Sequence, residues 1–145
     1  MWHGAFRGER AFLSNFYPAW VQVDGDEYPT VEHAFVACKS NDPEFRVKVQ
    51  LAATPAQAKR LGRDVEIRPD WDDVKLECML DLLRQKFVRK QFRGLLLATG
   101  DEELVEENTW HDQYWGKCVC PRHASQPGQN HLGKLLMQIR KELSK

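Results

Sequence analysis

Trp20-Val21-Gln22-Val23-Asp24-Gly25-Asp26-Glu27-Tyr28, followed almost at once by Thr30-Val31-Glu32-His33-Ala34-Phe35, reads as a β-hairpin that feeds a helix. Asp24-Gly25 supplies the positive φ of a tight turn between two short strands. Thr30 stands where a helix cap is needed, and Val31, Ala34, Phe35 and Cys38 recur at i, i+3, i+4 and i+7. Glu32 lies on a different face, together with Val36 and Lys39. Its place in the first turn favours the charged carboxylate through the helix dipole.

Outward from this stretch the pattern is mostly helical. Asn41-Asp42-Pro43 starts a helix with proline in its first turn and Phe45, Val49 and Ala52 on one side. Thr54-Pro55-Ala56-Gln57 has the form of a capping box, and Gly62 is the expected stop of the short helix it opens. Pro69-Asp70-Trp71-Asp72-Asp73 leads into the longest helix, with Leu76, Met79, Leu80, Leu83 and Phe87 as its expected buried stripe. Phe92, Leu95 and Leu96 continue into a further helix ending near Thr99-Gly100. Residues 104–107 and 117–120 read as strands to either side of a tryptophan-rich loop. Asn130 is expected to cap the last helix, where Leu132, Leu135, Leu136 and Ile139 repeat the apolar spacing. Together these elements predict an α+β fold, a single compact, helix-rich domain over residues 1–145 with a few short strands.

The bulk properties narrow the function classes. A chain of 145 residues suits one domain with a real core and is short for two. Lys plus Arg equals Asp plus Glu at 21 each, so net charge demands neither nucleic acid nor a membrane surface. No apolar run approaches the length of a membrane span. Met1-Trp2-His3-Gly4-Ala5 lacks the basic and hydrophobic regions of a signal peptide, and a cytoplasmic location is the expectation. Cys38 and Cys78 fall on apolar helix faces, as small buried thiols do. Cys118-Val119-Cys120-Pro121-Arg122-His123 gathers metal-ligand types, but C-x-C is not the common zinc-knuckle spacing and no C-x-x-C completes four ligands. The reading is two thiols on one face of a short strand, with no metal and no cofactor.

Chemistry concentrates in two places. Asn108-Thr109-Trp110-His111-Asp112-Gln113-Tyr114-Trp115-Gly116 sets a carboxylate among aromatic rings in a loop, an arrangement that serves a ligand. Glu32 is the second acid. Two carboxylates near aromatic planes suit a site that stacks a flat ring and breaks the bond beside it. Each residue also has a plain structural reading. Glu32 fits any helix's first turn, Asp112 could cap its own loop, and Trp71 and Trp115 could anchor the core. The basic run Arg84, Lys86, Arg89, Lys90 and Arg93 reads as a solvated face, with a nucleic-acid surface as the alternative. Lys39 and Arg63 are the better phosphate candidates, although no glycine-rich phosphate loop is present.

Taken in order, the segments carry a resemblance. They are Phe12-Leu13-Ser14-Asn15-Phe16-Tyr17-Pro18, Tyr28 to Phe35 with Lys39, Gly62-Arg63, and Arg68-Pro69-Asp70-Trp71-Asp72. Further on come Lys86-Phe87, Leu96-Leu97-Ala98-Thr99-Gly100, Leu104-Val105-Glu106-Glu107-Asn108, Asp112-Gln113-Tyr114-Trp115-Gly116 and the stretch Gly128 to Met137. The chain resembles the NADAR, or YbiA-like, superfamily along nearly its whole length. The resemblance implies a compact α+β fold and N-glycosidase chemistry on ribosides. One associated substrate class is the phosphorylated ribosylaminopyrimidines of early riboflavin synthesis, cleaved to ribose 5-phosphate and the aminopyrimidine. The other is ADP-ribose on guanine, removed from nucleic acid. A non-catalytic module that binds ADP-ribose or a nucleotide is the alternative from another class.

Carried over residue by residue, the resemblance implies a site at Glu32, Trp71, Asp112 and Trp115, supported by Asn15, Lys39 and Asn130. Breaking an N-glycosidic bond builds positive charge on the ribose, which one carboxylate can stabilise while the other activates water or protonates the base. Trp71, Trp115 and Gly116 would hold the flat base, and Arg63 and Lys39 would compensate phosphate charge. Lys39 also opens a second route, in which its amine captures the opened sugar as a Schiff base. The expected partner is a small phosphorylated riboside. Nucleic acid enters only under the alternative, and no membrane is expected.

Overall fold

The computed structural model describes residues 6–145, so the reading of Met1 to Ala5 falls outside the described residues. The fold is α+β and helix-rich, with a few short strands, and its residues form two compact units, 15–86 and 6–14 with 87–145.

In the unit 15–86, β1 (Pro18–Val23) and β2 (Asp26–Thr30) pair antiparallel with Val21 opposite Tyr28 and Val23 opposite Asp26. Asp24 and Gly25 both take positive φ, 50° and 87°, as the dipeptide predicts. Helix α1 (Val31–Cys38) follows without a linker, and the Thr30 hydroxyl accepts from the His33 amide. The four apolar residues of its expected stripe are buried, but so are His33, Val36 and Ala37. The cause is packing on several sides, by β1, β2, α2 (Pro43–Gln50) and α3 (Pro55–Asp64). Glu32 is thereby the one residue of α1 that is not buried. His33 is a structural histidine: its Nε2 lies 3.0 Å from the Ala52 carbonyl and its Nδ1 2.8 Å from the Thr30 hydroxyl. A carbonyl only accepts, so Nε2 carries the hydrogen, and burial holds the imidazole below its ordinary pKa.

Two expectations are corrected here. Gly62 does not end α3, which runs on to Asp64. It marks a close approach instead, since a Cβ there would stand 3.0 Å from Val36 Cγ1 and 3.5 Å from Lys39 Nζ. In α4 (Trp71–Phe87) the buried residues are Trp71, Met79, Leu82, Leu83, Lys86 and Phe87, whereas Leu76 is exposed and Leu80 only half-buried. Met79, Leu82, Leu83 and Lys86 stand at i, i+3, i+4 and i+7, so helical phase carries the lysine inward. Lys86 therefore leaves the solvated basic run. Its Nζ sits 5.8 Å from the Tyr17 ring centroid, and burial lowers its pKa to about 7.

The second unit contains a 3-10 turn (Gly8–Leu13), α5 (Lys90–Leu97), α6 (His131–Leu143) and two minimal strands, β3 (Glu107–Asn108) and β4 (Lys117–Cys118). Phe87 meets Phe12 and Phe92 edge-on, while Leu96, Leu104, Leu132, Leu136 and Ile139 are buried. Leu95, expected inside, is exposed. The strands are shorter than predicted and pair in parallel, Glu107 with Lys117 and Asn108 with Cys118. Asn130 explains part of the shortening. Its side chain takes up the Leu104 carbonyl at 2.9 Å and the Glu106 amide at 3.1 Å. It does not cap α6 with its side chain, as the sequence predicts; it enters the helix from the left-handed region at φ 50°. Among the described residues no helix is long and apolar enough to cross a membrane.

Candidate functional site

The helical half of the candidate set lies in the unit 15–86. Glu32 is anchored at its backbone, where its amide donates to the Asn15 carbonyl at 3.0 Å. Asn15 is itself buried; its Nδ2 reaches Met79 S at 3.6 Å, and its Oδ1 is a buried acceptor with no partner. An acceptor left this way in a dry place is costly unless something fills it. Two turns along α1, Lys39 shares the face of Glu32. Burial pulls the Lys39 amine below the ordinary lysine range, Glu32 pushes it partly back, and Lys59 adds to the lowering. The missing side chain of Gly62 makes room for the Lys39 amine between α1 and α3.

Trp71 opens α4 and packs its ring on Phe35 of α1, with centroids 5.0 Å apart and planes at 50°. It is held in place from behind. The Arg68 amide donates to the Lys39 carbonyl at 2.8 Å, and the Trp71 amide donates to the Arg68 carbonyl at 3.1 Å. Arg68 grips Asp70 through Nε and a terminal nitrogen, at 2.6 and 2.9 Å. The structure thus gathers Asn15, Glu32, Lys39 and Trp71 around α1. Arg63 is exposed in the last turn of α3, with no hydrogen bond or ion pair to another described residue. A depression of about 410 Å³ in the same unit, bordered by Ser40, Lys48 and Arg68, contains none of the candidate residues.

The loop half lies in the second unit and is built by side chains bonding to backbone. Asp112 Oδ1 accepts from the amides of Tyr114 at 3.0 Å and Trp115 at 2.9 Å, the loop-capping role allowed by its sequence position. Oδ2 of the same carboxylate makes no hydrogen bond to a described residue, so one oxygen shapes the loop and one is open for chemistry. Asn108 is a residue that sequence reasoning missed. Its amide group clamps Asp112 twice, donating to the carbonyl at 2.8 Å and accepting from the amide at 3.0 Å. The pairing of two Asx residues four apart is the signal that could have found it.

Trp115 is half-buried, edge-on to Tyr114 at 4.9 Å and to His131 at 6.4 Å. The loop then closes on α6. His131 and Leu132 amides donate to the carbonyls of Tyr114 and Trp115, both at 3.0 Å. Gly116 is buried at this junction, and a Cβ there would collide with the Glu106 carbonyl. Asn130 braces the junction from the other side through Leu104 and Glu106.

Comparison with known proteins identifies the family. The model of the NADAR domain matches residues 2–144. A protein named N-glycosidase YbiA from Escherichia coli is 41% identical over 136 residues, covering 91% of this chain and 81% of its own. A riboflavin biosynthesis protein of Vibrio vulnificus is 39% identical over 135 residues, and the match spans only 35% of that longer chain. The NMR structure of the E. coli protein YbiA superimposes with a TM-score of 0.80 at 36% identity, covering 97% of this chain and 82% of that one.

Proposed function

The chain belongs to the NADAR domain family, and on that premise we propose that it is an N-glycosidase that releases ribose 5-phosphate from phosphorylated ribosylaminopyrimidines. Relatives named as an N-glycosidase and as a riboflavin biosynthesis protein support the reaction class and the substrate class respectively. One family model running over both compact units supports reading them as a single domain.

The observation that carries the mechanism is the face shared by Glu32 and Lys39 on α1. Glu32 is the residue of that helix left unburied, and Lys39 has its amine lowered by burial. An amine that sheds its proton more readily is a better nucleophile at neutral pH. In the ring-opened form of the substrate, the Lys39 nitrogen adds to C1 of the ribosyl group. The bond from C1 to the pyrimidine nitrogen, an imine in the open form, breaks as the lysine imine forms. Both protons lost by the lysine amine reach the departing nitrogen by way of the Glu32 carboxylate, and it leaves as the free aminopyrimidine. Water, deprotonated by Glu32, then hydrolyses the lysine imine to give ribose 5-phosphate and restore the amine. The unpartnered Asn15 Oδ1 suits a ribose hydroxyl, and Trp115 suits the flat base. Asp112 offers its open oxygen to developing positive charge, Gly116 lets the loop close beside Trp115, Asn130 holds that loop, and Arg63 meets the phosphate.

The test is mass-spectrometric detection of ribose 5-phosphate from the phosphorylated ribosylaminopyrimidine, with borohydride added to trap the imine. Release by the wild type, with a reduced sugar-phosphate adduct on Lys39, is expected. Absence of release would overturn the substrate, and release without an adduct would replace the imine by direct attack of water. The nucleic-acid alternative comes with the resemblance, and the basic run from Arg84 to Arg93 that would help it loses one of its five members with Lys86 buried.

A further inference from the structure

The Trp-rich loop, the end of β4 and the turn after it bring together four side chains that the glycosidase chemistry does not use. His111, Cys118, Cys120 and His123 each turn one donor atom toward a common point, and the four atoms all lie within 4.8 Å of one another. His111 Nδ1 is 3.3 Å from His123 Nδ1 and 3.5 Å from Cys120 Sγ. Cys118 Sγ is 3.8 Å from His111 Nδ1, and Cys120 Sγ is 3.1 Å from His123 Nδ1.

These separations can be set against a tetrahedron. With zinc–sulfur bonds of about 2.3 Å and zinc–nitrogen bonds of about 2.05 Å, its edges are roughly 3.3 Å between nitrogens and roughly 3.6 Å between nitrogen and sulfur. The observed edges straddle those values. The backbone around the cluster is shaped to the same end. His111 holds a positive φ of 71°, rare for a residue with a side chain, and this aims its ring at the thiols. The Cys120 amide points at Cys118 Sγ at 3.5 Å, a contact that favours a thiolate. The turn that returns His123 is closed by its amide on the Cys120 carbonyl at 3.0 Å. Both cysteines are free thiols.

The geometry points to a structural zinc site of the Cys2His2 type, ligated by His111, Cys118, Cys120 and His123. With four protein donors the coordination is closed, so the ion holds structure and takes no substrate. Cys-x-Cys alone does not announce it, because the first ligand lies seven residues upstream in the aromatic loop. What the ion would hold is specific: it would tie His111, the neighbour of Asp112, to the strand and turn that follow it. Its chemistry is independent of the glycosidase reading.

The full-length protein, purified without chelator, is tested by elemental analysis and by replacing the bound metal with cobalt(II). One zinc per chain, and a cobalt form with the visible bands of a tetrahedral thiolate complex, are expected. Cys118 is buried in any case, so the accessible Cys120 is the reporter: zinc should slow its alkylation at least about tenfold while leaving Cys78 unchanged. Cys120→Ser and His123→Ala should lose stoichiometric metal, and Cys78→Ser should keep it. Because the alkylation readout uses the wild-type chain, a variant that fails to fold does not blunt the test. No thiolate bands with cobalt, or equal alkylation of Cys120 with and without zinc, would overturn the assignment.

Discussion

Helix α1 and the loop from Asn108 to Gly116 each carry an acid and stand near an aromatic ring, but they hold their side chains by different means. On α1 the backbone repeat does the work: Glu32 and Lys39 share a face because they are seven residues apart on a helix packed on several sides. In the loop there is no repeat to rely on. Asp112, Asn108 and Asn130 fix the chain by bonding backbone groups one at a time. A helix-held residue is therefore free to do chemistry alone, whereas a loop-held one must first build the structure it works in.

The largest effect that would sharpen this contrast belongs to α1. Glu32→Gln should lower turnover by about 10²- to 10⁴-fold with little change in melting temperature; a near-normal kcat would remove Glu32 from the mechanism. Next comes the loop junction, where Gly116→Ala drives a methyl into the Glu106 carbonyl and should cost about 3 kcal/mol or more. Gly62→Ala meets the methyls of the buried Val36 at 3.0 and 3.3 Å, tight contacts but no backbone collision, and a smaller cost of about 1 kcal/mol is expected. Equal melting temperatures for the two alanine variants would break the comparison.

Lys86 tests the helical side in a different way. Its folded pKa of about 7 lies below the ordinary lysine value of 10.5, so between those values the unfolded chain binds a proton that the folded chain does not. Stability from this group should rise with pH across that window and be flat below it. Lys86→Met removes the titrating group and should remove the slope in a pH series of denaturant melts; an unchanged slope would assign it to other groups. The smallest effect separates the two duties of Asp112. Asp112→Asn keeps an oxygen for the Tyr114 and Trp115 amides and should melt like the wild type. Asp112→Ala loses both bonds and should cost about 1 to 2 kcal/mol. Turnover lost in the asparagine variant would then report on charge alone.

What the sequence made legible follows the same division. The hairpin, the Thr30 and Thr54 caps, the helix start at Asn41-Asp42-Pro43 and the positions of the long helices are readable because turn chemistry and the 3.6-residue repeat are local. The phase of α4 was missed because Lys86 was judged by its charge when its spacing put it with Met79 and Leu83. Gly62 reads as a stop in the sequence because a close approach between helices leaves no trace along the chain. Asn130 looked like a cap, and its real partners, Leu104 and Glu106, lie more than twenty residues away. The catalytic candidates on α1 were found together because one helix joins them. His111 adjoins Asp112 in the chain, and only tertiary geometry connects it to Cys118, Cys120 and His123.

The manner in which α6 begins has a consequence for how this region opens. Its first amides are not satisfied by a cap of the helix's own; they end on the carbonyls of Tyr114 and Trp115. Fraying the start of α6 therefore unlatches the loop, and peeling back the loop strips the helix of its acceptors. The two form one cooperative opening unit, so solvent would reach the amides of His131 and Leu132 only when Trp115 lets go.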